Sequence, residues 1–251
     1  MIVFPNAKIN IGLNVVEKRI DGFHNIESIF YPVMNVFDVL EVLENEALEF
    51  HSSGIEIPGD EDSNLCLKAF QLIKTDFDIP YVKIHLLKNI PIGAGLGGGS
   101  SDAAFMLKAL NQLFKLKLTS NQLISYAKQL GSDCAFFIEN KPVYAHQKGD
   151  EFETISLDLS GYDLRIEYPN IHIGTAEAYS GIIPATSQEN LKELIQQPIE
   201  NWKTTIKNDF EKSVFPQYSS IEELKQQMYA DGAIYTSMTG SGSAVFGVFE
   251  K

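Results

Sequence analysis

Hydrophobic residues recur with two different periods along the chain, which predicts a mixture of strands and helices. Between residues 8 and 15, isoleucine, leucine and valine alternate with polar residues. A period of two predicts a strand with one buried face, so we expect Lys8 and Asn10 on its polar face. Further strands are predicted at 29–43, 82–87, 143–146 and 244–249.

Spacings of three and four residues predict the helices. Apolar residues from Ala103 to Phe114 form an amphipathic pattern, and we expect this helix to begin within 100–102, where capping side chains belong. Ser120 begins a second helix that Gly131 ends. Other helical patterns lie at 65–73, 175–182, 188–197, 199–214 and 219–231. Strands mixed with helices indicate an α+β protein.

Composition and charge narrow the classes of function. The chain has 251 residues and a net charge of −13, which disfavours binding to nucleic acid or to an anionic membrane. Residues 79–132 differ, because six lysines and one aspartate give them a local charge of +5. Cys66 and Cys134 match no paired metal-ligand spacing, and no apolar run approaches the ~20 residues that span a bilayer. We expect a cytoplasmic protein.

A glycine-rich loop, PIGAGLGGGSS at 91–101, lies between a predicted strand and a predicted helix. Backbone N–H groups of such a loop, together with a helix N-terminus, can bind an anion. A flexible surface loop is one alternative. Another is a dinucleotide site, because Gly93, Gly95 and Gly98 fit G-x-G-x-x-G, but no acidic residue lies between Asp102 and Asp133 to bind a ribose. The common nucleotide-binding loop ends in Gly-Lys followed by Ser or Thr, and the chain is excluded from that class because it has no Gly-Lys pair. The pattern favours a phosphate site.

Three segments together resemble the motifs of the GHMP kinases, the superfamily of galactokinase, homoserine kinase and mevalonate kinase. PIGAGLGGGSSDAA resembles the phosphate-binding motif, PNAKINIGLNVVEKRIDGFHNIESIF the first motif, and TSMTGSGSAVFGVF the third. The resemblance implies an α+β, two-domain fold of the GHMP kinase type with a catalytic cleft between the domains. It places an ATP-binding domain at 1–155 and a smaller α+β domain at 156–251.

The first motif is similar to one branch of this family. Members of that branch transfer the γ-phosphoryl group of ATP to the 2-hydroxyl of a small cytidine-diphosphate-linked substrate in isoprenoid precursor synthesis. The resemblance therefore implies ATP and Mg²⁺ as cofactors, and no nucleic-acid or membrane partner; it leaves the oligomeric state open. The alternatives are a kinase of the homoserine or mevalonate type and a non-catalytic nucleotide-binding module.

The resemblance also implies roles for single residues at the ATP side. Asp133 would remove the proton of the acceptor hydroxyl, and Lys8 would keep that carboxylate ionised and orient the hydroxyl. Asn64 would contact the nucleoside of ATP. The residues alone also allow simpler roles: a helix cap at Asp133 and at Asn64, and an exposed lysine at Lys8. The residues expected around the ATP phosphates are Pro91, Gly93, Ala94, Gly95, Leu96, Gly97, Gly98, Gly99, Ser100 and Ser101.

The cytidine substrate is expected to contact four other residues. The resemblance makes His24 the reader of the cytosine edge, with aromatic rings stacking on the base, and a core role remains an alternative for each. The expected substrate contacts are Asn10, Phe23, His24 and Tyr179. The residues expected to support the phosphate loop are Gly240, Ser241 and Gly242. The Mg²⁺ ligands stay unassigned, and the candidates are Ser100, Ser101 and Asp102.

Overall fold

The chain alternates between two structural units. In a computed structural model, which describes residues 1–186 and 189–251, each unit has its own network of contacts. Unit 1 consists of Met1–Ala7, Val33–Ile92 and Gly97–Lys141. Unit 2 consists of Lys8–Pro32, Gly93–Leu96 and Pro142–Lys251. The domain boundary near residue 155 and the catalytic cleft stay predictions.

Strands and helices follow one another along the described residues. The strands are β1 (Ile2–Val3), β2 (Asn6–Lys18), β3 (His24–Phe37), β4 (Val39–Asn45), β5 (Glu49–Gly54), β6 (Tyr81–Lys88), β7 (Val143–His146), β8 (Glu151–Thr154), β9 (Tyr162–Glu167), β10 (Tyr235–Met238) and β11 (Val245–Glu250). The helices are α1 (Leu65–Asp76), α2 (Gly98–Leu113), α3 (Ser120–Leu130), α4 (Phe136–Glu139), α5 (Thr175–Ser180), α6 (Leu191–Leu194), α7 (Trp202–Thr205), α8 (Glu211–Val214) and α9 (Ser219–Ala230). The predicted α+β class is confirmed.

In unit 1, helices pack on a four-stranded sheet of order β1-β4-β6-β5. Helix α2 packs against β1 and β4, and α1 packs against α2 and α3. The sequence explains the two-sided sheet, because Val82, Ile84 and Leu86 of β6 are buried while the residues between them face outward. The core side of this sheet therefore fixes the position of α2, which follows the glycine-rich loop.

Unit 2 contains two sheets. One has the order β2-β3-β7-β8, and the other has the order β10-β11-β9 with antiparallel pairing throughout. Helix α9 packs against β10 and β11, and its Ile221 and Met228 belong to an apolar core that also contains Val245 and Phe249. This packing holds the loop between β10 and β11, where the third motif lies.

Three predicted elements differ from the structure. Residues 29–43 form two strands instead of one, because Asp38 interrupts them. The 199–214 pattern forms three short elements, which are a 3₁₀ helix (Ile199–Asn201), α7 and α8. Gln188, at the start of the predicted 188–197 helix, lies outside the described residues. Strand β2 has two buried faces, since Lys8 is 3% and Asn10 1% exposed. The prediction that only one face of this strand is buried was wrong, because polar neighbours cover the face that carries Lys8 and Asn10.

The expected start of α2 was also wrong. The helix begins at Gly98, two residues before Ser100, and its N-cap is Gly97 with a φ of 72°. A glycine adopts this left-handed conformation without a Cβ penalty, and no side chain caps the helix. The first N–H groups of α2 are therefore left to other partners. Elsewhere, no helix of the described residues is long and apolar enough to cross a membrane.

A buried lysine anchors α2 to the sheet of unit 1. Lys88, the last residue of β6, donates hydrogen bonds to Asp38 and, at 2.7 Å, to Asp102 of α2. Asp38 also accepts the N–H groups of Asn89 and Ile90 at 2.6 and 2.8 Å. Within the described residues, Asp102 Oδ1 has no hydrogen-bond partner. Asp38 is therefore the better-stabilised carboxylate of the two.

The protonation of these groups follows from burial and from this asymmetry. Burial raises the pKa of Asp102 to about 7, although the Lys88 ammonium acts in the opposite direction. Burial alone would lower the pKa of Lys88, but attraction to Asp102 and Asp38 raises it above its ordinary value. The cluster therefore takes up a proton on Asp102 near neutral pH.

We expect Asp102→Asn to change how stability depends on pH. The folded pKa of Asp102 lies above the unfolded value, so its contribution to stability is lost as pH rises from about 4 to about 7. Between pH 5.5 and 8 the free energy of unfolding of the wild type should fall by about 2 kcal/mol relative to that of the variant. Urea unfolding at the two pH values measures this difference. If the wild type instead gains stability relative to the variant between pH 5.5 and 8, the Lys88 ion pair outweighs burial in setting the pKa of Asp102.

Candidate active site

The first part of the glycine-rich loop packs on the third-motif loop within unit 2. Gly95 has a φ of 79°, and a Cβ at this residue would lie 2.0 Å from the carbonyl oxygen of Thr239. Thr239 Oγ1 lies 3.2 Å from the carbonyl oxygen of Gly95, and the N–H of Ala244 donates to Ala94. Gly240 is also close to this loop, because a Cβ added at Gly240 would lie 3.0 Å from the Cα of Gly95. The structure thus brings these two predicted loops together backbone to backbone, and this approach requires glycine.

The second part of the glycine-rich loop belongs to unit 1 and leads into α2. Ser101 lies at the end of the first turn of α2 and Asp102 follows it, and both are buried. Ser101 Oγ and Asp102 Oδ1 have no hydrogen-bond partner within the described residues. Buried polar atoms are normally paired in native proteins. Two unpaired oxygens beside open N–H groups therefore provide donors and acceptors for a polar ligand.

Lys8 and Asn10 lie side by side on β2 and are held by a buried network. The Lys8 ammonium donates to Asn10 Oδ1 at 2.5 Å and lies 4.7 Å from the ring centre of Phe30. Asn10 Nδ2 donates to Ser28 Oγ at 2.9 Å, and the backbone N–H of Asn10 donates to Thr239 Oγ1 at 3.0 Å. The network fixes both the ammonium and the amide.

Sequence reasoning missed three buried polar residues of unit 2. Ser28 and Thr239 contact Asn10 directly, and Asn208 Nδ2 donates to the carbonyl groups of Met238 and Gly240 at 2.8 Å each. Thr239 lies inside the third motif, so the motif itself was a signal for it. Ser28 lies inside the first motif, which was a signal of the same kind, whereas nothing local marked Asn208, because its partners are distant in sequence.

The remaining predicted residues at the ATP side lie in unit 1. Asp133 is half-buried in the first turn of a 3₁₀ helix (Ser132–Ala135) whose N-cap is Gly131. Asp133 is therefore not the N-cap residue of that helix. Asn64 does cap α1, because its Oδ1 accepts the N–H of Cys66 at 2.8 Å. The cap interpretation accounts for the position of Asn64, whereas its contact with a nucleoside stays a prediction.

An aromatic groove of about 540 Å³ in unit 2 contains three of the four residues expected to contact the cytidine substrate, Phe23, His24 and Tyr179, whereas Asn10 does not line it. The rings of His24 and Tyr179 are stacked, with centres 4.4 Å apart and planes at 16°. Phe23 is 61% exposed, and the ammonium of Lys148 lies 5.5 Å from its ring centre. The groove is lined by Lys18, Gly22, Phe23, His24, Lys148, Thr175, Ala176, Tyr179, Ser180, Ile182 and Pro184.

The electrostatics of this groove keep His24 uncharged. Partial burial and the nearby Lys18 charge lower the pKa of His24 below its ordinary value. A neutral imidazole has one hydrogen-bond donor and one acceptor. The groove therefore offers a flat aromatic surface beside one donor and one acceptor, which suits a planar heterocycle.

The local charge of residues 79–132 is only partly available to a ligand. Lys88 is neutralised by Asp38 and Asp102. Burial lowers the pKa of Lys108 to about 8, and its ammonium donates to the carbonyl oxygen of Phe137. Two of the six lysines thus serve the interior of unit 1, and the sequence count overstates the positive field.

Known proteins resemble the chain over its whole length. A 4-diphosphocytidyl-2-C-methyl-D-erythritol kinase of Bacteroides fragilis is 52% identical, and the match covers 99% of this chain and 92% of that protein. The enzyme of that name from Pelodictyon phaeoclathratiforme is 37% identical, covering 100% and 89%. A crystal structure of 4-(cytidine 5'-diphospho)-2C-methyl-D-erythritol kinase matches with a TM-score of 0.83 at 29% identity, covering 99% of this chain and 90% of that one.

The family and the fold agree. The mevalonate kinase structure of Methanococcus jannaschii matches with a TM-score of 0.69 at 15% identity, covering 100% of this chain and 90% of that one, and shows the shared fold. The model for the GHMP kinases N terminal domain matches residues 64–141, and the model for the GHMP kinases C terminal region matches residues 183–251. The predicted GHMP kinase type of fold is confirmed, and the chain belongs to the GHMP kinase family.

Proposed function

We propose that the chain transfers the γ-phosphoryl group of ATP to the 2-hydroxyl of 4-diphosphocytidyl-2-C-methyl-D-erythritol. The observation that carries the substrate is the aromatic groove of unit 2, in which a neutral His24 lies against Tyr179. Relatives that share about half of the sequence bear the name of this kinase. The groove has the chemistry that a pyrimidine base requires.

Recognition of cytosine would rest on stacking and on a hydrogen bond with the imidazole. Cytosine presents an amino donor beside a ring-nitrogen acceptor, and a neutral imidazole has an acceptor nitrogen for the first and a donor nitrogen for the second, one of which can be used at a time. Aromatic contacts of this type add about 1–3 kcal/mol for a stacked base. Phe23 is the exposed ring for that contact, whereas Tyr179 already stacks on His24 and packs against Phe210. Lys18 and Lys148 line the same groove and would attract the diphosphate.

The ATP phosphates would bind at the glycine-rich loop. The helix α2 follows the loop directly and begins without a capping side chain, with Gly97 as its N-cap residue. Anions are stabilised at such helix termini. The loop has no lysine, so its contribution would come from backbone N–H groups.

The residues present fit the Mg²⁺ ion that such a kinase requires. Ser101 Oγ and Asp102 Oδ1 are buried and unpaired within the described residues, and oxygen atoms are the ligands that Mg²⁺ prefers. No group of three or more His, Cys, Asp or Glu side chains in the described part of the chain could hold a metal ion alone. Ser101 and Asp102 would therefore share the ion with phosphate oxygens, and the bound ion would neutralise phosphate charge.

Asp133 and Lys8 would act on the acceptor alcohol. As the hydroxyl oxygen attacks the γ-phosphorus, its proton passes to the Asp133 carboxylate, and the bond from phosphorus to ADP breaks. Lys8 would supply fixed positive charge, because Asn10 and Phe30 hold its ammonium in a site that water does not fill. A charge held this way costs little reorganisation during the reaction.

The assignment of the substrate is tested by a direct comparison of alcohols. With ATP and Mg²⁺, we expect the purified protein to phosphorylate 4-diphosphocytidyl-2-C-methyl-D-erythritol with kcat/KM at least 100-fold above that for homoserine or mevalonate, because the aromatic groove selects the cytidine. Product formation by mass spectrometry measures it. A preference for homoserine or mevalonate would reject the substrate, and ATP binding without any turnover would favour a non-catalytic module.

We expect Asp133→Asn to lower kcat by about 100-fold or more, the usual scale for a positioned base. The change keeps the shape of the side chain but removes its ability to accept the proton. Steady-state kinetics at saturating ATP and alcohol measure the effect. The matched change Asp78→Asn, at an exposed aspartate of the same unit, should leave kcat unaltered. Normal turnover by Asp133→Asn would reject its role as the base.

We expect His24→Ala to raise KM for the cytidine substrate by about 10- to 100-fold, while KM for ATP changes less than threefold. Loss of a buried hydrogen-bonding partner costs about 1–3 kcal/mol, and His24 lines the aromatic groove and not the glycine-rich loop. Initial rates at varied substrate and varied ATP separate the two constants. His51→Ala, at an exposed histidine of β5, is the control. Equal changes in both constants would contradict the specific contact with cytosine.

A further inference from the structure

Two buried hydroxyl groups of unit 2, Ser28 and Thr239, have no role in the chemistry described so far. Both side chains are 0% exposed, and both contact Asn10. Asn10 in turn accepts the hydrogen bond of the Lys8 ammonium. The four residues therefore form one connected network that ends on the charge proposed to act in phosphoryl transfer.

The proton of Ser28 decides the direction of this network. Ser28 Oγ lies 2.6 Å from the carbonyl oxygen of Gly12, which can only accept, so the single hydroxyl proton is committed there. Towards Asn10, at 2.9 Å, Ser28 can then only accept. The NH₂ group of Asn10 must face Ser28, and its Oδ1 must face Lys8. Ser28 thus supports the same amide orientation that the Lys8 ammonium, which can only donate, requires.

Thr239 fixes the backbone of the same residue. Its Oγ1 accepts the backbone N–H of Asn10 at 3.0 Å, and it lies 3.2 Å from the carbonyl oxygen of Gly95 and 3.3 Å from Asn10 Oδ1. Both of those oxygens are acceptors, so the one proton of Thr239 goes to either of them. In each case Thr239 holds the backbone N–H of Asn10, and with its proton on the Gly95 oxygen it also links β2 to the first part of the glycine-rich loop.

Another buried lysine, in unit 1, has different partners. Lys88 forms ion pairs with Asp38 and Asp102. For Lys8, Asn10 supplies a neutral amide oxygen, which orients the ammonium without adding a negative charge. A neutral amide binds an ammonium only through its oxygen, so its orientation matters more than that of a symmetric carboxylate.

We propose that Ser28 and Thr239 are positioning residues of the phosphoryl transfer. Ser28 holds the Asn10 amide so that Oδ1 faces Lys8, and Thr239 holds the backbone of Asn10 against the Gly95 segment. This inference rests on the proposed function in one respect, namely that Lys8 acts on the reacting groups. Asn10 accordingly serves Lys8 first, whatever contact it makes with substrate.

Paired variants of the full-length protein test this role. Thr239→Val keeps the shape and removes the hydroxyl, whereas Thr239→Ser keeps the hydroxyl. We expect Thr239→Val and Ser28→Ala to lower kcat by about 10- to 30-fold, with both KM values within threefold of the wild type, because hydrogen bonds that position a charge act in the transition state. Thr239→Ser should recover most of kcat. Thr236→Val is the control, since Thr236 is also 0% exposed on the preceding strand but contacts Met228.

A double-mutant cycle distinguishes positioning from general packing. If Ser28 acts through Asn10, Ser28→Ala should lower kcat less than twofold further in an Asn10→Ala background. Melting temperatures of all variants show whether the proteins are folded, and a structural role would lower these temperatures without changing kcat per folded molecule. Values of kcat within twofold of the wild type for Ser28→Ala and Thr239→Val, or independent effects of Ser28 and Asn10, would overturn the proposal.

An NMR measurement does not depend on turnover. In the wild type the side-chain NH₂ of Asn10 should exchange slowly with solvent, and Ser28→Ala should raise its exchange rate at least tenfold, while Thr236→Val should not. Equal exchange rates in wild type and Ser28→Ala would overturn the assigned amide orientation. If the wild type phosphorylates a different alcohol, only the proposed substrate fails, and the kcat comparison is made with that alcohol. Slow exchange with no turnover on any alcohol would overturn the catalytic role of the network.

Discussion

A buried ammonium is the constraint on which the arrangement of unit 2 depends. Lys8 is 3% exposed, and removing a charge from water is costly unless the protein replaces the lost hydration. The replacements are the Asn10 oxygen and the face of the Phe30 ring. This requirement explains why β2 is covered on both faces and why polar residues from distant segments meet there. A strand that merely bordered the sheet would leave the lysine hydrated and mobile.

The two buried lysines of the chain illustrate two uses of the same side chain. Lys88 ties α2 to the sheet of unit 1 and is neutralised by carboxylates, so it contributes to architecture. Lys8 donates to the neutral amide oxygen of Asn10, and this contact orients the ammonium without adding a negative charge. The same distinction explains why the local charge of residues 79–132 was an imperfect guide. Counting lysines does not tell which of them the interior uses.

The sequence allowed prediction of local features far better than of distant ones. Periodicity located α1, α3, β6 and β11 closely, and three ordered motifs indicated the family. Ser28 lies inside the first motif, but its contact with Asn10, 18 residues away, could not be found in this way. Neither could Asn208, whose partners lie 30 or more residues along the chain. The start of α2 was misplaced because capping preferences apply to side chains, whereas here a left-handed glycine ends the loop. Burial of Lys8 was missed because a period of two reveals only one face.

The contact between Gly95 and Thr239 has a consequence for protein synthesis. These residues are 144 positions apart, and the loop conformation at Gly95 depends on backbone that is synthesised much later. A nascent chain that ends before residue 239 lacks the backbone against which this loop is shaped. The glycine-rich loop can therefore be completed only after synthesis has passed residue 239, and ligands of this loop could assist folding only from that point.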